Sequence, residues 1–261
     1  MISFLTGLPV WLSGLLLVGL TTVLAMVGPR VVRRYVTLEE LTANNEVAGF
    51  KFAVVGVLYA VLLAFAIIVV WEKFNDAESM VAREAGATAN IYRLSQGLGD
   101  GPGSALRKAL GNYLKVTIAE DWPAMERGGE SEAARRALDQ VYAALLPSIQ
   151  PQGGPITAEI LHQLDVVTQE RRARIVAADG TVPGILWPVL FWGAAITIGF
   201  TYFFGTQSLR AQTLMTGLLS VLIFSGLLII IVIDQPFAGV VKVGPAALAK
   251  VLTEFGAGEG H

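Results

Sequence analysis

The chain contains no cysteine, which removes disulfides and thiolate metal sites and leaves its redox compartment open. Its two histidines, His162 and His261, stand far apart, so no metal-ligand spacing exists and no metal or cofactor is expected. No basic block exceeds Arg171-Arg172-x-Arg174 and the formal net charge is −2, which excludes the usual footprint of a nucleic-acid partner. No glycine loop precedes a basic residue to cradle phosphate. No nucleophile has a histidine or desolvated lysine set beside it by a motif, and no enzyme is expected. Charge of either sign is scarce: 15% of residues are charged and 54% are hydrophobic. It is missing altogether from Met1–Pro29, Phe52–Trp71, Thr181–Leu209 and Ala211–Ile233.

A hydrocarbon core of about 30 Å needs about 20 apolar residues in helical form. Each charge-free stretch meets that length, which predicts four spans near 8–28, 47–71, 184–205 and 211–233. The first lacks a basic start and a small-x-small cleavage site, so it reads as a retained span rather than a signal peptide. The expected fold is an all-α membrane protein: four transmembrane helices with a helical bundle inserted between spans 2 and 3. In sequence this gives 1–71 with spans 1 and 2, 72–183 as a soluble helical domain, 184–233 with spans 3 and 4, and 234–261 as a C-terminal tail. Arg30, Arg33 and Arg34 follow span 1 directly, so positive-inside reasoning puts the short loops in the cytoplasm and the helical domain outside it. The setting is then a cell membrane, crossed more than once. Lys73, Arg83, Arg171, Arg172 and Arg174 flank spans on the opposite side, but long segments carry little weight in this rule.

No proline interrupts residues 47–96, so span 2 is expected to continue as one helix beyond the bilayer. There Phe74, Ala77, Val81, Ala85, Thr88 and Tyr92 recur at helical spacing and mark one face. Gly97, Gly99, Gly101 and Pro102 supply a stop. Further helices are expected over 104–120, from Ser131 to Leu146, and from an N-cap at Thr157 to Asp179-Gly180.

Span 2 carries Gly49, Ala53, Gly56, Ala60 and Ala64 on one helical face, with Leu58, Leu62, Phe65 and Val69 nearly opposite. Small residues let helix backbones approach in lipid, so the stripe reads first as a seat for a neighbouring helix; a narrow pore wall is the sharper alternative. Lys51, on the bulky side, is expected to reach lipid headgroups. Asn44 and Asn45 suit a helix start, or ligation of a partly dehydrated ion, and Glu46 lies on the stripe side. At the far end stand Glu72 and, closing span 4, Asp234. In a symmetric oligomer each acid becomes a ring that favours cations. Gln212, Thr216 and Ser220 recur every four residues along span 4, either bonding to another helix or lining water. These residues are the pore and ion-binding candidates.

The stretches "NNEVAGFKFAVVGVLYAVLLAFAIIVVWEKF", "REAGATANIYRLSQGL", "EDWPAMERG", "LWPVLFWGAAITIGFTYFFG" and "IDQPFAGVVKVGP" occur in this order. With them the chain resembles the bestrophin-like domain-of-unknown-function family of bacterial membrane proteins. A histidine often stands in that family where this chain has Asn44, which weakens a proton or metal role there. The resemblance implies kinship with bestrophins, which are oligomeric anion channels of four spans with a cytosolic helical part; their run of pore aromatics is not found here. Two functions follow. One is a homo-oligomeric ion channel lined by spans 2 and 4, with some cation preference from its acidic span ends. The other is a membrane-anchored helical interaction or sensor protein without a pore. The expected partners are the bilayer, further copies of the chain and inorganic ions.

Overall fold

Helix accounts for most of the described residues, and no strand occurs among them. The structure is a computed structural model that describes residues 10–43, 45–149, 154–180 and 182–258. It divides into two units: residues 1–72 with 181–234, and 73–180 with 235–261.

The first unit begins with α1 (Val10–Gly14), a π-helical stretch (Leu15–Leu20) and α2 (Thr21–Tyr35), which continue one another. A short α3 (Leu38–Ala43) leads to α4 (Asn45–Leu94), whose first half belongs here. α9 (Leu186–Thr201) and α10 (Leu209–Ile233) complete the unit. Three helical stretches, Trp11–Tyr35, Asn45–Leu98 and Leu209–Ile233, are long and apolar enough to cross a membrane. α9 is apolar but shorter than the run 184–205 suggested, because Tyr202 to Ser208 leave the helix for a loop.

The second unit takes the rest of α4, a 3-10 turn (Ser95–Leu98), α5 (Asp100–Val116), a π-helical turn (Thr117–Asp121) and α6 (Trp122–Met125). It continues through α7 (Glu132–Leu145), α8 (Pro155–Ala177) and α11 (Ala246–Gly258). Ala77, Val81, Ala85 and Thr88 of α4 are buried, as their spacing requires of one core-facing stripe. Leu106, Leu110, Val141, Ile160 and Leu164 meet that stripe in one continuous core.

Local chemistry explains the helix ends. The Ser131 hydroxyl accepts from the Ala134 amide at 3.3 Å and caps α7. Thr157 does not cap α8: Gly154 is the N-cap, Pro155 opens the helix, and the buried Thr157 hydroxyl donates to the Ser148 carbonyl at 3.5 Å. Proline is suited to that first turn, where its missing N–H has no helical partner to lose. The C-terminal residues are more than a tail. Phe237 and Leu248 are fully buried in the second unit, and the Tyr92 and Phe255 rings stack at 3.9 Å.

Candidate ion pathway and a buried ion cluster

Most of the small-residue stripe of α4 is left open by this chain, although Gly49 at its start is half-buried, with the Phe204 ring 3.8 Å from where a Cβ would stand. Ala53, Ala60 and Ala64 are exposed, and a Cβ added at Gly56 would meet nothing within 4 Å. The helix contacts of α4 use large side chains from another sector. Tyr59 is buried, donates to the Leu190 carbonyl at 3.1 Å, and lies so close to Gly193 that a Cβ there would come within 2.5 Å of its ring. Leu63 fills the notch at Gly226, 2.8 Å from where a Cβ would stand. The glycines that allow close approach therefore sit on α9 and α10, and α4 supplies the knobs. The seat expected there for a neighbouring helix is not filled from within this chain along Ala53, Gly56, Ala60 and Ala64.

The span ends separate into exposed acids and tied polar groups. Glu46, Lys51 and Glu72 are exposed. Asn44 lies outside the described residues. Asn45 is committed to the chain's own backbone: its amide nitrogen donates to the Gly205 carbonyl and its oxygen accepts from the Gly205 amide, both at 2.8 Å. Gly205 is required there, since a Cβ would stand 2.5 Å from the Thr42 amide nitrogen. Asp234 is buried and accepts from the Val182 amide at 2.7 Å, tying the start of the α9 region to the end of α10.

Gln212, Thr216 and Ser220 are all buried, and their partners belong to the same chain. Gln212 donates to the Phe204 carbonyl at 2.7 Å and accepts from Arg33, which also donates to the Thr206 carbonyl. Thr216 meets the Thr201 hydroxyl at 3.2 Å, and Ser220 accepts from Thr22 at 3.4 Å. Without water to satisfy them, polar groups in spanning helices bond to one another, and this stripe does so along α2, α9 and α10. Beside α4 and α9 runs an open apolar groove of ≈ 460 Å³ lined by Leu58, Tyr59, Leu62, Pro188, Trp192 and Ile196. It offers no charge to an ion.

The second unit holds a site that the sequence reading missed. The Glu84 carboxylate of α4 is fully buried, accepts from Arg174 Nε at 2.9 Å and Nη2 at 3.3 Å, and accepts from the Tyr113 hydroxyl at 2.6 Å. Asp121, also fully buried, accepts from Arg171 Nε at 3.0 Å and Nη2 at 3.1 Å, from Arg174 Nη2 at 3.3 Å, and from the Ser131 amide at 2.9 Å. The Arg174 guanidinium lies 4.4 Å from the Trp122 ring centre and donates to Met125 Sδ at 3.1 Å. Two carboxylates thus balance two guanidiniums in a dry core, with bidentate geometry on both arginines. Burial, followed by the adjacent Glu84 charge, pushes the Tyr113 hydroxyl well above its ordinary pKa, which keeps it a donor to Glu84. Burial is the largest influence on Arg174 and works against its charge, but Glu84, Tyr113 and Asp121 together outweigh it and the guanidinium is held above its usual range. One sequence signal marks the cluster: Glu84 stands among Ala77, Val81, Ala85 and Thr88, uncharged positions of a core-facing stripe.

Among the described residues no group of three or more histidine, aspartate or glutamate side chains is arranged to hold a metal ion. Among curated proteins, none matches this chain in sequence. Solved structures do match in fold. A bacterial bestrophin homologue from Klebsiella pneumoniae superposes with TM-score 0.74 at 13% identity, over 93% of this chain and 98% of that one. Another structure of the Klebsiella pneumoniae homologue, phased on zinc, gives TM-score 0.71 at 13% identity, over 95% and 98%. A crystal structure described as a membrane protein gives TM-score 0.74 at 13% identity, over 95% and 99%. A family model for the bestrophin-like domain matches residues 16–248. With its apolar helices, its fold and that match over most of its length, this chain is a membrane protein of the bestrophin-like family.

Proposed function

We propose that the chain is one subunit of a homo-oligomeric ion channel in the bacterial cell membrane, with four spans and a pathway bordered by the second. The carrying observation is the open small-residue face of α4, with the exposed Glu46 on the same side at its start and the exposed Glu72 at the far end of the apolar run. From Ala53 to Ala64 that face is open and has no bulk to block a passage, so a ring of copies can present it to a common axis. The buried partners of Gln212, Thr216, Ser220 and Asp234 support a packing role for them, which leaves Glu46 and Glu72 as the acids best placed to favour cations.

Purified protein in planar bilayers tests this. Intact oligomers that pass no current under any salt gradient would overturn the channel and favour a membrane-anchored interaction protein. A reversal potential at the chloride equilibrium value would overturn the cation preference, and Glu72→Ala is expected to reduce it. Orientation needs its own experiment. Arg30, Arg33 and Arg34 on the short-loop side favour an extracytoplasmic helical unit, whereas the bestrophin likeness favours a cytosolic one. With no native cysteine, one cysteine at the exposed Asp139 decides: labelling of intact cells supports the outside placement, and labelling only after lysis overturns it.

A further inference from the structure

We propose that the buried cluster of Glu84, Asp121, Arg171 and Arg174 is an acid-operated latch that opens the helical unit locally while the apolar helices stay folded. The geometry makes the cluster respond to acid in one direction. Arginine does not lose its proton in proteins, so only the two carboxylates can change charge on acidification. Adding a proton to either leaves an excess guanidinium charge in a core where Glu84, Asp121 and Arg174 side chains are 0% exposed and Arg171 is 7% exposed. A buried charge that loses its counter-charge is held far less well than the intact pair.

The surroundings hold no spare anion of the same burial. From α5 only the neutral Tyr113 hydroxyl faces Glu84. From the π-helical turn, Glu120 accepts from the Ser131 hydroxyl at 3.1 Å. From the loop before α7, Glu130 stands 3.6 Å from Arg171 but is 45% exposed, and Glu132 at the start of α7 is paired with Arg135. The other basic residue nearby on α4, Arg83, points outward to Glu170. Trp122 and Met125 give the Arg174 guanidinium a ring face and a sulfur, neither of which carries charge.

The latch also sits where its release matters mechanically. It joins α4 through Glu84, α5 through Tyr113, the π-helical turn through Asp121, the α7 cap through Ser131, and α8 through both arginines. Elsewhere these elements meet mainly through apolar side chains that do not respond to pH, with Arg83 and Glu170 adding one solvent-exposed pair between α4 and α8.

Hydrogen–deuterium exchange on the full-length protein in lipid nanodiscs, at pH 7 and at about pH 3, below the ordinary carboxylate range, tests the latch without relying on any current, so it stands or falls apart from the channel reading. After correction for intrinsic exchange, peptides covering 80–95, 113–131 and 165–176 are expected to exchange at least tenfold faster in acid, reversibly, while 215–230 keeps its protection. Unchanged exchange in the three regions overturns the proposal, as does equal deprotection of 215–230, which would mean global unfolding. The doubly neutral Glu84→Gln/Arg174→Met variant is a second arm: a blunted acid response at 80–95 supports the latch, and a full wild-type response there overturns it. The wild-type measurement decides alone if that variant does not fold.

Discussion

Along α4, the half between Phe52 and Trp71 carries no charge and leaves Leu58 67% and Phe65 63% exposed. The half beyond Lys73 turns Ala77, Val81 and Ala85 inward, shows charged residues outward, and buries the carboxylate of Glu84. One unbroken helix thus obeys two solvents. Large apolar side chains stay outside only where the surroundings are as apolar as they are, and a continuous exposed apolar face in water marks an association surface. A carboxylate enters a core only with its charge matched and its lone pairs bonded. The first half is read by what it turns outward, the second by what it conceals.

The largest expected effect comes from unbalancing the concealed side. Arg174→Met leaves Glu84 without its bidentate partner and removes one donor to Asp121, and breaking a buried pair from one side costs about 3–5 kcal/mol. Chemical denaturation followed by circular dichroism checks this. Pairing the change with Glu84→Gln is expected to recover much of the loss; no recovery would show that packing at Arg174, rather than charge balance, dominates.

A somewhat smaller effect is expected on the outward face of the first half. Leu58→Arg sets a charge where lipid contact is expected, at about 2.5–3.5 kcal/mol on insertion scales. A membrane-integration assay would show a reduced inserted fraction, whereas Glu78→Arg, on the exposed side of the second half, should leave it unchanged. Equal insertion of both variants would erase the contrast between the halves.

The smallest effect belongs to a pair that resembles the cluster in chemistry alone. Arg83 and Glu170 form a two-point pair with Nε to Oε1 at 2.6 Å, but the Arg83 side chain is 54% exposed. Solvent screens it, so Arg83→Ala should cost within about 1 kcal/mol in the same denaturation measurement. A cost near that of Arg174→Met would mean that burial is not what separates the two pairs.

Much of this architecture was legible in the residues. Absent charge marked the apolar helices, absent proline let α4 run through both units, and Ser131 announced the start of α7. Thr157 misled because serine and threonine caps compete with a glycine–proline start, and Gly154-Pro155 took the position. The polar stripe of Gln212, Thr216 and Ser220 was visible as a stripe, but its partners come from Arg33, Thr22, the Thr201 hydroxyl and the 201–204 backbone, which no spacing within α10 reveals. The ion cluster was harder still. Glu84 and Arg174 stand 90 residues apart, Asp121 and Arg171 stand 50 apart, and apart from the place of Glu84 in a core-facing stripe each residue alone looks like an ordinary surface charge.

The sequence by itself determined which helices are apolar, where α4 must run unbroken, and which family the chain resembles, because these depend on composition, local periodicity and residue order. Only the tertiary structure decided that the glycines of α9 and α10 receive the knobs of α4, that most of the α4 stripe stays open, and that four charges share one core. Close approach and charge balance are properties of pairs, and the chain brings those pairs together only when it folds.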